Sequence, residues 1–188
     1  MGASGRRSPC GRRGAYPASD GREGRASRGR TAGEALPVAP VDVTPMRFVT
    51  RSKVHVDRIA TAWAIRRFID PDATFVFVDR NTDVSGFDAI PFDMRGAELG
   101  HHAGRCTFEI LLDSYELRDP TLRCIGQIVR AIDMPFDSDT REDVAALTAA
   151  FNELRDADIS DDERLLRGQR ICEELYVKCG GSRKEVHQ

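Results

Sequence analysis

Residues 46–78, MRFVTRSKVHVDRIATAWAIRRFIDPDATFVFV, change their hydrophobic period twice, and those changes decide the fold. Met46 to Thr50 reads as a short strand that enters a turn at Arg51, Ser52 and Lys53. Val56, Ile59, Ala60, Trp63 and Ala64 then recur at helical spacing, the stripe of an amphipathic helix that must face a core. Asp70-Pro71 ends this helix, because the residue before proline is pushed out of the helical region. Thr74 to Val78 is a continuous β-branched and aromatic run, the pattern of a strand covered on both faces. Strand, helix and strand in succession imply a parallel pair joined by a right-handed crossover.

Downstream, a turn-rich stretch through Asn81, Asp83, Ser85 and Gly86 leads to a third short strand over Ala89–Asp93, in which Pro91 requires an edge or a strand end. Phe108, Leu111, Leu112 and Tyr115 mark a second helix. Asp119-Pro120 is an N-cap with proline at the first helical position, opening a third helix that runs to about Ile132. Thr140 with Asp143 and Ser160 with Glu163 have the spacing of capping boxes for two more helices, and Gly180-Gly181 stops the last one. The expected fold is therefore α/β: a small parallel-type sheet in the N-terminal half and a helical C-terminal half, packed as a single domain over 46–180. Arg66-Arg67 reads as a solvated helix face.

Upstream, residues 1–45 hold 8 Gly, 5 Pro and 8 Arg against 4 acidic residues. That composition cannot support a core, so the expectation is a disordered Arg/Gly-rich tail or a start assigned upstream of Met46. Residues 181–188 are expected to be disordered as well. Residues 46–188 carry 20 basic and 26 acidic side chains, a net charge of −6. An acidic body argues against broad contact with a phosphate backbone, so nucleic acid is not expected as a partner of this chain alone. No signal-peptide core and no membrane-spanning run is present, which points to a cytoplasmic domain with no membrane association. The five cysteines are scattered without a Cys-x-x-Cys pair, so neither a disulfide framework nor a zinc finger is expected. Cys172 and Cys179 read as small buried apolar side chains of a helix.

Ligand-capable side chains gather where strands end or helices begin, the places where open α/β sheets collect ligands. His55 and Asp57 follow the first strand, Asp93 the third; His101 and His102 precede the second helix, and Asp133 ends the third. Imidazole and carboxylate are the donors expected for Mn²⁺, Fe²⁺ or Zn²⁺, so these six residues form the candidate metal set. Arg58, Arg95 and Arg105 border them and form the candidate oxyanion set, since a guanidinium fork holds a tetrahedral oxyanion in two places. Arg51 and Lys53 lie nearby. Each group also has a plainer role open to it: Asp57 can complement a helix dipole, Asp93 can form a turn, and the arginines can pair with surface carboxylates.

Val56-Asp57-Arg58-Ile59-Ala60, Trp63, Ile65 to Pro71, Pro91-Phe92-Asp93, Gly96-Ala97-Glu98, His101-His102 and Cys106-Thr107-Phe108-Glu109 resemble the C-terminal domain of the chromate-resistance ChrB family. The resemblance covers roughly 46–179 and extends to Ile128-Val129-Arg130, Asp133, Asp161-Asp162-Glu163 and Leu175-Tyr176. It implies a domain associated with chromate resistance and stress response, in an accessory or sensor role, binding a metal ion or small oxyanion. It also implies, as an alternative, the sensory part of a chromate-responsive transcription regulator. A homo-oligomer is left open. A weaker similarity runs to the Asp-His-His phosphoesterases, with His55-x-Asp57, Asp93, Gly100-His101-His102 and Asp133 in matching order. Arg51 and Gly100 depart from that pattern. This similarity implies a metal-dependent hydrolase, in which a divalent ion on His55, Asp57, Asp93 and His102 activates water while His101 or Arg105 polarises a phosphoryl group.

Overall fold

The strand Arg47–Arg51, β1, is the centre of the structure, a computed structural model that describes residues 44–134 and 142–183. Phe48, Val49 and Thr50 are fully buried, so β1 is covered on both faces. Its parallel neighbours are β2 (Thr74–Val78) on one side and β3 (Ile90–Pro91) on the other, giving the order β2-β1-β3. Arg47 lies opposite Thr74 and Arg51 opposite Val78. Pro91 does sit on an edge, and the third strand is shorter than the expected Ala89–Asp93. The Thr50 hydroxyl donates to the Phe92 carbonyl over 2.7 Å, carrying the contact one residue past the end of β3.

The apolar run of β2 belongs to a half-exposed edge strand, a correction to its reading as doubly covered: only Val78 is buried. Arg66 stands in for a covering layer, with its guanidinium 4.7 Å over the Phe75 ring and its Nε donating to the Ala73 carbonyl at 3.1 Å. Arg67 packs over Phe68 and Tyr176 and lies 3.4 Å from Glu173. The arginine pair is therefore structural rather than a solvated face.

Helix α1 (Val56–Ala64) is buried at every position except Arg58, more completely than its apolar stripe implied. It continues as a π-helical turn, Ile65–Ile69, whose end is sealed by the Asp70 N–H on the Ile65 carbonyl before Pro71. The remaining helices are α2 (Thr107–Ser114), α3 (Pro120–Asp133), α4 (Glu142–Asp156) and α5 (Asp161–Lys178). Asp119 caps α3, its carboxylate accepting the Thr121 N–H at 2.8 Å, and Ser160 caps α5 by accepting the Glu163 N–H at 3.2 Å. Thr140, the other expected cap, lies outside the described residues, as do 1–43 and 184–188 of the expected tails. Cys172 is buried as expected, whereas Cys179 is only half-buried and faces Cys124 across the α3–α5 contact. One apolar cluster runs from Phe48 through α1 to Phe108, Leu122, Phe151 and Leu165, joining the sheet and the helices into a single α/β domain. Among the described residues no helix is long and apolar enough to cross a membrane.

Helix α5 crosses α1 at Gly168, where a methyl group would overlap the Ile59 side chain and press on Leu154. Helix propensity alone predicts that Gly168→Ala stabilises by about 1 kcal/mol. Overpacking a closed contact costs about 1–3 kcal/mol and opposes it. The expected outcome in urea unfolding is a net loss of stability for Gly168→Ala in the unsubstituted protein, and a smaller loss or a gain when Gly168→Ala is added to Ile59→Ala and compared with Ile59→Ala alone; a gain in the single variant would disprove the close crossing.

Candidate functional site

Asp57 lies in the first turn of α1, yet its carboxylate caps a different helix. Oδ2 accepts the Thr107 N–H and Oδ1 the Phe108 N–H, each at 2.8 Å. Helix N-termini leave such N–H groups without intrahelical partners, and a carboxylate suits both their geometry and the helix dipole. Asp57 is 1 % exposed, so this capping replaces the water it has lost. Glu109 closes the next position by accepting the Cys106 N–H at 3.2 Å.

Three further side chains converge there. Asp93 leaves β3 with φ of 48°, its N–H bonded to the Leu99 carbonyl at 2.8 Å. Its carboxylate takes a 2.8 Å ion pair from Arg58 Nε and a 3.2 Å hydrogen bond from the Thr107 hydroxyl. Asp133 arrives from the last turn of α3. His101, from the loop before α2, places Nε2 at 2.9 Å from Asp57, 3.3 Å from Asp133 and 3.4 Å from Asp93. One donor atom from each of Asp57, His101 and Asp133 lies within 4.8 Å of the others.

Adjacent carboxylates in a partly dry site repel, and the protonation equilibria follow. The Asp57 hydrogen bond, with the charges of Asp57, Asp93 and Asp133 behind it, raises His101 to about 9 in spite of its partial burial. Burial first, then the charges of Asp57 and Asp93, push Asp133 up to about 6. Asp93 is also raised, chiefly by burial, with Arg58 opposing.

The other candidates separate from this cluster. His55 packs its ring edge-on to Phe151 of α4, and burial together with Arg155 lowers its pKa. His102 is exposed, with Nε2 at 3.1 Å from the Glu98 carbonyl and its backbone paired in both directions with Arg105. Arg105 is committed to α2, donating to the Asp113 carboxylate and the Glu109 carbonyl, each at 2.7 Å. Arg58 and Arg95 do line one cleft of about 340 Å³, together with Arg51, Asp93, His101 and His102. Arg51, whose Nε is buried without a hydrogen-bond partner, takes the place in the arginine set that the sequence reading gave to Arg105. Thr107 is not among the sequence-based site candidates, although it lies in the Cys106-Thr107-Phe108-Glu109 stretch that carries the family resemblance.

Fold and site together define a small parallel α/β domain whose helix termini and strand exits hold an imidazole among three carboxylates, beside an arginine-lined cleft. Residues 48–179 match the family described as ChrB, C-terminal domain, and the chain belongs to that family. It is 32 % identical over 146 residues to Protein ChrB of Cupriavidus metallidurans, an alignment covering 77 % of this chain and 44 % of that protein. The chain thus spans less than half the length of this relative. No solved structure matches. The resemblance to Asp-His-His phosphoesterases is not shown by these comparisons, and two histidines counted in its motifs, His55 and His102, stand apart from the carboxylate cluster.

In metal-free protein, the His101 ring is expected to stay protonated through neutral pH, with an NMR midpoint near 9 against the ordinary 6.5. A raised histidine stabilises the fold fully below its unfolded value of 6.5, and that contribution is lost as pH rises through 9. Denaturant titrations of chelator-treated protein should therefore show stability falling over that interval, and His101→Gln should flatten the fall. An NMR midpoint at or below 6.5 would contradict this geometry.

Proposed function

We propose that this domain, whose family is associated with chromate resistance, is an accessory or sensor module that binds a divalent metal ion through Asp57, His101 and Asp133. Asp93 sits at the rim of the site, held by Arg58. The observation that carries the reading is the approach of three carboxylate oxygens, from α1, the β3 exit and α3, to 2.9–3.4 Å from one imidazole nitrogen. Donors bonded at about 2.1 Å to one ion stand roughly 3.0 Å apart in octahedral and 3.4 Å apart in tetrahedral geometry, the range of the three distances from His101. Mixed nitrogen and oxygen donors suit Mn²⁺, Fe²⁺ or Zn²⁺ better than a soft ion that demands thiolate. An ion of charge +2 also offsets the charges of Asp57 and Asp93, which add to burial in pushing Asp133 upward. Arg51, Arg58 and Arg95 would receive an oxyanion in the adjoining cleft, where guanidinium N–H groups can hold two oxygens at once.

The decisive measurement is elemental analysis and calorimetric titration of untagged protein with Mn²⁺, Fe²⁺ and Zn²⁺. One equivalent is expected to bind. His101→Ala and Asp133→Asn should each weaken binding by at least about 100-fold, since even an outer-shell partner is worth about 10–100-fold. His102→Ala and His55→Ala should leave it unchanged. Absence of stoichiometric binding for all three ions refutes the reading, and turnover of a generic phosphodiester by the loaded protein would replace it with a hydrolase.

A further inference from the structure

Away from the carboxylate cluster, the Sγ atoms of Cys124 and Cys179 lie 2.9 Å apart. That is inside ordinary sulfur–sulfur contact and only about 0.9 Å beyond the ~2.05 Å of a disulfide. Cys124 belongs to the second turn of α3, and Cys179 is the residue on which α5 ends. Both are half-buried, so a small reagent can reach them, whereas Cys106 and Cys172 are buried in the core. Burial also pushes the Cys106 and Cys172 thiols up, which removes them from competition at neutral pH. The two helix ends are held together independently of the sulfurs, because the Tyr176 hydroxyl donates to the capping carboxylate of Asp119 at 2.7 Å. Gly180, with φ of 99°, takes the chain out of the helix immediately after Cys179, and the Gly181 N–H closes back on the Tyr176 carbonyl at 2.9 Å, so the end of α5 is fixed where Cys179 meets Cys124.

We infer that Cys124 and Cys179 form a dithiol that closes reversibly to an intramolecular disulfide by exchange with a low-molecular-weight disulfide. One protein thiolate attacks that disulfide, forming a mixed disulfide and releasing one small thiol. The second protein thiolate then attacks the mixed disulfide at the protein sulfur, forming the Sγ–Sγ bond and releasing the second small thiol. Two protein thiols are oxidised, one small disulfide is reduced to two thiols, and the two protons pass to the released thiols. The bond spans a sequence separation of 55 residues, a loop long enough for cross-linking to restrict the unfolded chain strongly. The inference does not rest on the metal reading, since neither cysteine belongs to that site.

The test uses the full chain, reduced and then equilibrated in glutathione buffers of rising oxidised fraction. Thiols are trapped by alkylation under denaturing conditions and counted by mass spectrometry. Of the five cysteines, two should become protected, and peptide mapping should recover a Cys124–Cys179 cross-link within one chain. The midpoint of thermal unfolding should rise on the order of 10 °C on oxidation and return with dithiothreitol. Cys124→Ser and Cys179→Ser should each abolish both changes. Five alkylated cysteines in fully oxidised buffer, or cross-links confined to other cysteines or joining two chains, would overturn the inference; the mapping on unsubstituted protein decides this even if a variant folds poorly.

Discussion

The buried carboxylate of Asp57 ties α1 to α2, and the position of everything else in the site depends on it. A carboxylate this deep is costly unless it is fully hydrogen-bonded. Two backbone N–H groups at the start of α2 meet that need at 2.8 Å each, and the helix dipole adds to their effect. The same oxygen that accepts the Thr107 N–H lies 2.9 Å from His101 Nε2. One side chain thus fixes a helix–helix junction and forms the floor of the candidate site, and the loop between Asp93 and Thr107 closes over it.

The electrostatics of the cluster follow from that construction. Asp57 is immovable, and Asp93 and Asp133 are brought beside it by a strand exit and a helix end. The negative charge concentrated there is balanced by Arg58 on one flank and by a protonated His101 in the middle. Arg58 approaches Asp93 from the side, through Nε to its carboxylate and through a terminal nitrogen to its carbonyl at 3.3 Å. His101 instead occupies the centre, where it stands as the cation its neighbours require. Under the proposed metal reading, an ion at this centre would have to displace the His101 proton, whereas Arg58 would keep its pairing with Asp93.

The central strand, the helix after it and its parallel partner were legible because each obeys a period that only one backbone conformation satisfies. The gathering of Asp57 and Asp93 could be anticipated for a similar reason: each follows a strand, and parallel topology places those strand ends on one side, whereas Asp133 joins them through the packing of α3 on α1 and α2. Which histidine joins them could not be. His101 and His102 are neighbours in a loop, and spacing carries no direction there. The choice is made by a tight turn through Ala103 and Gly104, both at positive φ, which pairs His102 with Arg105 and leaves His101 facing the carboxylates. His55 is likewise one residue from α1, but Phe151, distant in sequence, sets the direction of its ring. The exposure of β2 escaped the reading because an apolar run records what a strand can bury, and Arg66 covers part of it with its guanidinium over Phe75.

The helical half is part of how the site is built. The loop between β1 and α1 carries Lys53 at φ of 59°, and its N–H groups at Lys53 and Val54 donate to the two oxygens of Asp161, each at 2.9 Å. Asp161 is in turn held at 2.7 Å by Arg164, a buried side chain that also donates to the carbonyls of Leu154, Ala157 and Ile159. That network joins the α4–α5 connection to the loop that launches α1, and Gly168 lets α5 lie directly on Ile59 one turn further along. Helix α1 therefore takes its position from both ends of the chain described here: the sheet sets its start, and α5 sets its lateral place. Because Asp57 and Arg58 ride on that helix, the sheet alone would leave the carboxylate cluster without the element on which it is assembled.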